Sequence, residues 1–208
     1  MKTSVLALDL ATTTGWAWHA DGMPRPFFGA FKLPGDPEEV GRPADALERW
    51  LRDFYIKTRD AGMPLTHYFF EAQHIDSRIN IDTVYRLIAL GALVEKFAFQ
   101  TRPKGQSKAW VFKVHISQWR KHFIGRGGGF KREKIEKIVK GEKKLVTGGY
   151  LPGEDPKELA IQRCGEYGWH TDISDAAEAV GILDYALTMI PNHPRPWRDE
   201  LLMRKAQR

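Results

Sequence analysis

Short apolar and aromatic runs alternate along this chain with longer stretches in which apolar residues recur every three or four positions. The runs at 5–8 (VLAL), 15–18 (GWAW), 26–33 (PFFGAFKL), 65–73 (LTHYFFEAQ) and 109–116 (AWVFKVHI) predict five strands. Helical spacing predicts a helix over 38–59, carried by Val40, Leu47, Trp50, Leu51, Phe54 and Tyr55. A second is predicted over 81–99, carried by Leu87, Ala89, Leu90, Leu93, Val94 and Phe97. Further helices are predicted near 131–140, over 156–167 and over 174–189, with a basic, glycine-containing stretch before the first of them. Three strands, a helix, a strand, a helix, a strand and then helices make an α/β protein. The expected architecture is a mixed five-stranded sheet with helices on both faces, filling one domain over 1–190. Residues 191–208, rich in Pro and Arg, read as a basic tail.

The first strand ends in a charge. Asp9 follows the apolar run directly and precedes the turn ATTTG. A carboxylate there is costly unless donors or a cation meet it. Either it closes the strand by bonding to the turn, or it binds a metal. Glu71 likewise ends the strand that begins at Leu65, and if the two strands are neighbours their carboxylates meet at one edge of the sheet. In the last helix, HTDISDAAEAVGILDYAL sets Asp172, Asp175 and Glu178 at steps of three. Asp175 and Glu178 share a helix face, which continues as Gly181 and Ile182, residues suited to packing on a sheet. Like charges crowded on a packed face require a counter-ion, and Mg2+ or Mn2+ suits an all-oxygen set. The plainer alternative makes Asp172 the N-cap of the helix and Asp175 a favourable charge in its first turn.

With 208 residues the chain can bury one substantial core. Its net charge of +6 favours a polyanionic partner. The single cysteine, Cys164, excludes an intrachain disulfide and a multi-cysteine zinc site. The apolar run at the start is too short for a signal peptide and is interrupted by Asp9. No run approaches the roughly 18 apolar residues of a membrane span. A cytoplasmic location without membrane contact is the expectation.

Four motifs, in order, resemble those of one family. LALDLATTTGWAW is similar to the first strand and turn of the RuvC-type Holliday junction resolvases, members of the RNase H-like nuclease superfamily. FFEAQHIDSRINIDTVYRLIALGALVE resembles their Glu-bearing strand, loop and helix. ISQWRKHFIGRGGGFKREKIEKIV resembles their segment of lysines around a Gly-x-Gly, and DAAEAVGIL their closing helix. The resemblance implies an RNase H-like fold and hydrolysis of phosphodiesters in branched DNA by a Mg2+- or Mn2+-dependent endonuclease. Two ions would be bound per site. It implies that Asp9, Glu71, Asp175 and Glu178 are the catalytic metal ligands. Glu178 departs from the Asp usual in the family, which leaves Asp172 with Asp175 as the alternative pair.

The positive charge is concentrated at 102–108 and 119–144. Arg120, Lys121, Arg126 and Lys131 flank the glycine loop GRGGG, which suits close approach to phosphates; the resemblance implies DNA contact by Lys121 and Lys131. Lys134 to Lys144 read as a solvated helix face. In the loop after Glu71, where the family probes the junction centre, His74, Ile75 and Arg78 are the candidates, and the family's aromatic wedge is absent. A twofold homodimer is expected, because a four-way junction presents two equivalent strands. The competing functions are an RNase H-fold nuclease acting on flaps, forks or RNA–DNA hybrids, and a DNA-binding module without catalysis.

Overall fold

In the computed structural model, the structure describes residues 2–35, 39–72, 80–102, 110–139, 142–191 and 193–206. The main sheet has the order β3-β2-β1-β4-β5, built from β1 (Ser4–Asp9), β2 (Thr13–Ala20), β3 (Phe27–Lys32), β4 (His67–Glu71) and β5 (Trp110–Val114). β1, β2 and β3 form an antiparallel meander, whereas β4 and β5 run parallel to β1. The expected five-stranded mixed sheet is therefore present.

The central strand β1 is buried on both sides, and its alternation feeds two cores. Leu6 and Leu8 pack with Leu47 and Leu51 of α1 (Gly41–Asp60) and with Leu90, Val94 and Phe97 of α2 (Ile81–Thr101). Val5 and Ala7 pack on the other face, with residues of α3 (Ile116–Ile124), α4 (Pro156–Glu166) and α5 (Ser174–Ala186). Helices thus cover both faces. Residues 176–184, all buried, are mostly small or aliphatic, so α5 lies close against the sheet.

Three expectations change. The helix expected near 131–140 is instead β6 (Arg132–Val139), paired antiparallel with β7 (Glu142–Tyr150) in a separate two-stranded sheet. Ile135 opposes Val146, and cross-strand pairing of such β-branched residues outweighs the helix propensity of the intervening Lys and Glu. The solvated helix face read over Lys134 to Lys144 is accordingly a pair of strands. Second, the start of the glycine-containing stretch forms α3, with the capping box His115–Gln118 at its head and left-handed Gly125 at its end. Third, the segment read as a tail contains α6 (Pro196–Ala206). Its Trp197 is buried in the core and donates to the Asp184 carboxylate of α5 at 3.0 Å. Arg198 and His122 bind the same carboxylate at 2.5 and 3.1 Å. Burial alone would raise the Asp184 carboxyl, but the bonds from His122, Arg198 and Trp197 bring it well below the usual carboxylate range. No helix among the described residues is long and apolar enough to cross a membrane.

Candidate active site

β1 and β4 are adjacent and parallel, with Leu8 opposite Phe70, so Asp9 and Glu71 end neighbouring strands at the same edge. The first turn and a half of α5 lies across this edge and brings Asp175 and Glu178. Asp9, Asp175 and Glu178 each offer a carboxylate oxygen, and these oxygens lie within 4.8 Å of one another. Glu178 is 4 % exposed, which for an acidic side chain requires compensation.

Gly15 explains how α5 comes so near. It pairs with Asp9 across the β1–β2 ladder, and a Cβ on it would stand 1.9 Å from the carbonyl oxygen of Asp175. Any side chain there would push the first turn of α5, and Asp175 with it, off the sheet edge. Asp9 takes no hydrogen bond from the following turn among the described residues; the Thr14 hydroxyl donates to the Ala11 carbonyl at 2.9 Å and holds the turn instead. The strand-closing role open to Asp9 is thus filled by Thr14.

Glu71 is turned slightly aside. The indole of Trp119 on α3 donates to Glu71 Oε2 at 2.8 Å, and Trp119 is fully buried beneath α5. Gly181 makes room for it: a Cβ there would lie 2.8 Å from the indole ring. The sequence predicts Gly181 against the sheet; it packs on α3 instead, because the bulk of Trp119 fills that side of α5. Burial pushes the Glu71 carboxyl up to about 7; the Trp119 bond lowers it, and the Glu178 charge raises it further. Asp9 is also raised well above the carboxylate range, by burial first and then by the charges of Glu178, Glu71 and Asp175. Four acids at one strand edge make each other's ionisation unfavourable.

Two cations answer them. Arg120 on α3 donates to Glu178 Oε1 at 2.7 Å. Its Nε is buried without a hydrogen-bond partner among the described residues. Lys157, in the first turn of α4, reaches Asp175 Oδ1 at 2.9 Å and Glu178 Oε2 at 3.6 Å. Burial disfavours its charge, but the Asp175 bond and the Glu178 and Asp175 charges together raise its pKa.

The remaining residues singled out from sequence lie at varied distances from this cluster. Asp172 is exposed and outside it; it is not the N-cap, a position held by Ile173, whose N–H bonds the Thr171 hydroxyl. Arg120, expected at the phosphate-facing loop, points inward to Glu178. Lys121 is exposed on α3, and Lys131 is exposed at the root of β6. Arg126 pairs with Glu154 at 2.7 Å. His74, Ile75 and Arg78, and the basic run after Arg102, lie outside the described residues. Lys157 and Trp119 are the functional residues that sequence reasoning missed. Ile116, Trp119, Phe123 and Ile124 stand at helical spacing, a signal sufficient to find α3. Nothing local to Lys157 tells which way its ammonium turns.

No protein-family model and no curated protein sequence matches this chain. Among solved structures it is similar to Thermus thermophilus RuvC, at 13 % identity and a TM-score of 0.51 over 90 % of this chain and 96 % of that one. It is also similar to T. thermophilus RuvC in complex with Holliday junction substrate, at 14 % identity and a TM-score of 0.54, over 86 % and 90 % of the two chains. YeaZ from Pseudomonas aeruginosa matches at 15 % identity over 90 % and 93 %, with a TM-score of 0.43. The chain has an RNase H-like α/β fold, with a partly buried carboxylate cluster at the edge where β1 and β4 end.

Proposed function

We propose that this chain is an endonuclease that hydrolyses phosphodiester bonds in branched DNA, four-way junctions among them. In this reading it works in the cytoplasm as a homodimer with two Mg2+ or Mn2+ ions per site. One observation carries the proposal: Asp9, Asp175 and Glu178 converge with their oxygens within 4.8 Å at the strand-end edge of an RNase H-like sheet. The donor set fits a hard divalent cation, being all carboxylate, partly buried and electrostatically unfavourable without added positive charge. The RuvC structure with a junction substrate, similar in fold, supports branched DNA as the partner.

Asp9, Asp175, Glu178 and Glu71 would hold the ions; when bound, these supply an activated water and stabilise the leaving oxygen. The protein's own part is orientation. Trp119 fixes the Glu71 carboxylate, and Arg120 fixes Oε1 of Glu178, whose Oε2 lies 3.6 Å from the Lys157 ammonium. Arg120, turned inward, offsets part of the cluster's negative charge before any ion binds. Lys157, still about half exposed, can exchange its carboxylate contacts for the substrate's charge. Lys121, Arg126 and Lys131 are the proposed backbone contacts, and Arg78 a proposed contact at the junction centre.

The test is cleavage of labelled junctions, flaps and duplexes with Mg2+, Mn2+ or EDTA, alongside binding in EDTA. Cleavage should require metal and prefer branched substrates. Asp9→Asn and Glu178→Gln should each lose more than the roughly 10–100-fold typical of residues that merely support a ligand. Both should bind junctions at least as tightly as the parent, since repulsion toward phosphate falls. Asp172→Asn should cut normally. Full turnover by Asp9→Asn would sink the assignment, and a dead Asp172→Asn with an active Glu178→Gln would transfer the ligand role to Asp172.

A further inference from the structure

The β6–β7 ribbon belongs to neither core of the main domain, and each of its feet leads to a cation bound to the acidic cluster. It closes on itself at the root, where Leu151 N–H donates to the Lys131 carbonyl at 3.0 Å. The Glu154 carboxylate accepts the Lys131 N–H at 3.2 Å and pairs with Arg126 at 2.7 Å. Above this, Phe130 and Tyr150 meet edge to face, with the Arg126 guanidinium 4.7 Å over the first ring and that of Arg132 4.2 Å over the second. The incoming strand leaves from the neighbourhood of Arg120, whose guanidinium lies 6.0 Å from the Phe130 ring and binds Glu178. The outgoing strand leads into α4, whose Lys157 binds Asp175. The root is thus fixed relative to the carboxylates by charge and aromatic contacts.

Beyond the root most described side chains of the ribbon are exposed, and its sequence is basic. Lys134, Glu136, Lys143, Leu145 and Thr147 are all solvent-facing. Residues 131–150 carry seven Lys and Arg against three Glu, more surplus positive charge than the rest of the chain together. An eight-residue strand at about 3.3 Å per residue reaches about 26 Å, or about seven to eight base pairs at roughly 3.4 Å each. A two-stranded ribbon has the cross-section that enters a DNA major groove.

We propose that β6–β7 is an arm that grips the DNA duplex flanking the scissile phosphate. It would set the length of paired DNA the site requires on that side. The proposal rests on the nuclease reading for its substrate, and its test is binding without cleavage. Two variants separate charge from shape: residues 135–146 replaced by Asn-Gly, which keeps the Lys134–Thr147 pair and the root, and Lys134→Gln/Lys137→Gln/Lys143→Gln/Lys144→Gln. In EDTA, both should bind a junction with long arms about 10-fold or more weaker. The salt slope should fall by about one unit for each phosphate no longer neutralised, up to about four in the quadruple variant. The deficit should vanish on junctions whose arms are cut to about four base pairs. Mn2+ binding to the DNA-free protein should be unchanged, which certifies the acidic site in both variants. Parental affinity and slope in both variants would overturn the arm, whether or not the parent cleaves DNA. A fall in oligomeric mass with DNA affinity per protomer intact would overturn it too, making the ribbon a protein interface. Failure of the parent to cleave, with the binding deficit present, would overturn the nuclease reading and leave the arm standing.

Discussion

Glu71 carries the most informative single charge in the molecule, because its ionisation couples the acidic site to the stability of the fold. Its carboxyl lies near 7 in the folded protein against an ordinary 4.5, with burial as the main cause. Between those values the folded chain keeps a proton that the unfolded chain has lost, so this group's stabilising contribution is complete below about 4.5 and disappears as pH rises through 7. Asp9 shifts in the same direction. Buried histidines oppose the trend: His67 is lowered to about 4, by burial and then by His193, so its protonation in the unfolded chain costs stability below its ordinary 6.5. The measurement is therefore a difference. In EDTA, Glu71→Gln should gain on the parent in thermal stability as pH is raised from 5 to 8. Mg2+ should stabilise the parent increasingly over the same range, since the ion binds only ionised carboxylates. Parallel pH profiles for the two proteins would show that Glu71 ionises normally.

Elements bring these residues together through two close approaches that only glycine permits. Gly15 lets the first turn of α5 rest on β2, and Gly181 lets α5 rest on Trp119. Gly15→Ala should displace Asp175 and lower cleavage by about 100-fold, the scale expected of an ångström-sized misplacement. Gly165→Ala, at a helical position with nothing within 4 Å of the added carbon, should leave cleavage unchanged and serve as control. Equal activity of both variants would show that the α5 contact does not set the site. The strands and long helices were legible in the sequence because each has one period throughout: β1 is uninterrupted Val5–Leu8, and α1 and α2 repeat every three or four residues. Period also put Asp9 and Glu71 at strand ends and Asp175 and Glu178 on one helix face, but that the strands are neighbours, and that Glu178 rather than Asp172 joins the cluster, depends on the tertiary fold. β6 was not, because Lys, Glu and Ile satisfy a helix locally and only the partner strand decides. Lys157 and the docking of α6 through Asp184 were not, because they depend on where separate elements meet.

At the scale of the whole molecule, α2 is apolar on two sides, and one of them is exposed. Val84, Leu90, Val94 and Phe97 face inward and are buried. Ile81, Tyr85, Ile88 and Phe99 remain 58, 61, 47 and 53 % exposed. Their separations of four, three and eleven residues keep them on one stripe of the helix. A 21-residue helix is about 31 Å long, enough for a self-complementary contact with a second copy across a twofold axis. That symmetry would offer one acidic cluster to each of the two equivalent strands of a four-way junction. Ile88→Glu places like charges near the axis and should convert a dimer into a monomer by light scattering. It should leave Mn2+ affinity per chain unchanged, because α2 holds none of the clustered carboxylates. On a junction that parental protein cuts symmetrically, the variant should accumulate singly nicked product, as two independent encounters replace one bound dimer. A parent that is monomeric at assay concentrations would refute the dimer itself. An Ile88→Glu protein that stays dimeric and cuts in pairs would move the interface off α2, and the exposed stripe would then need another occupant.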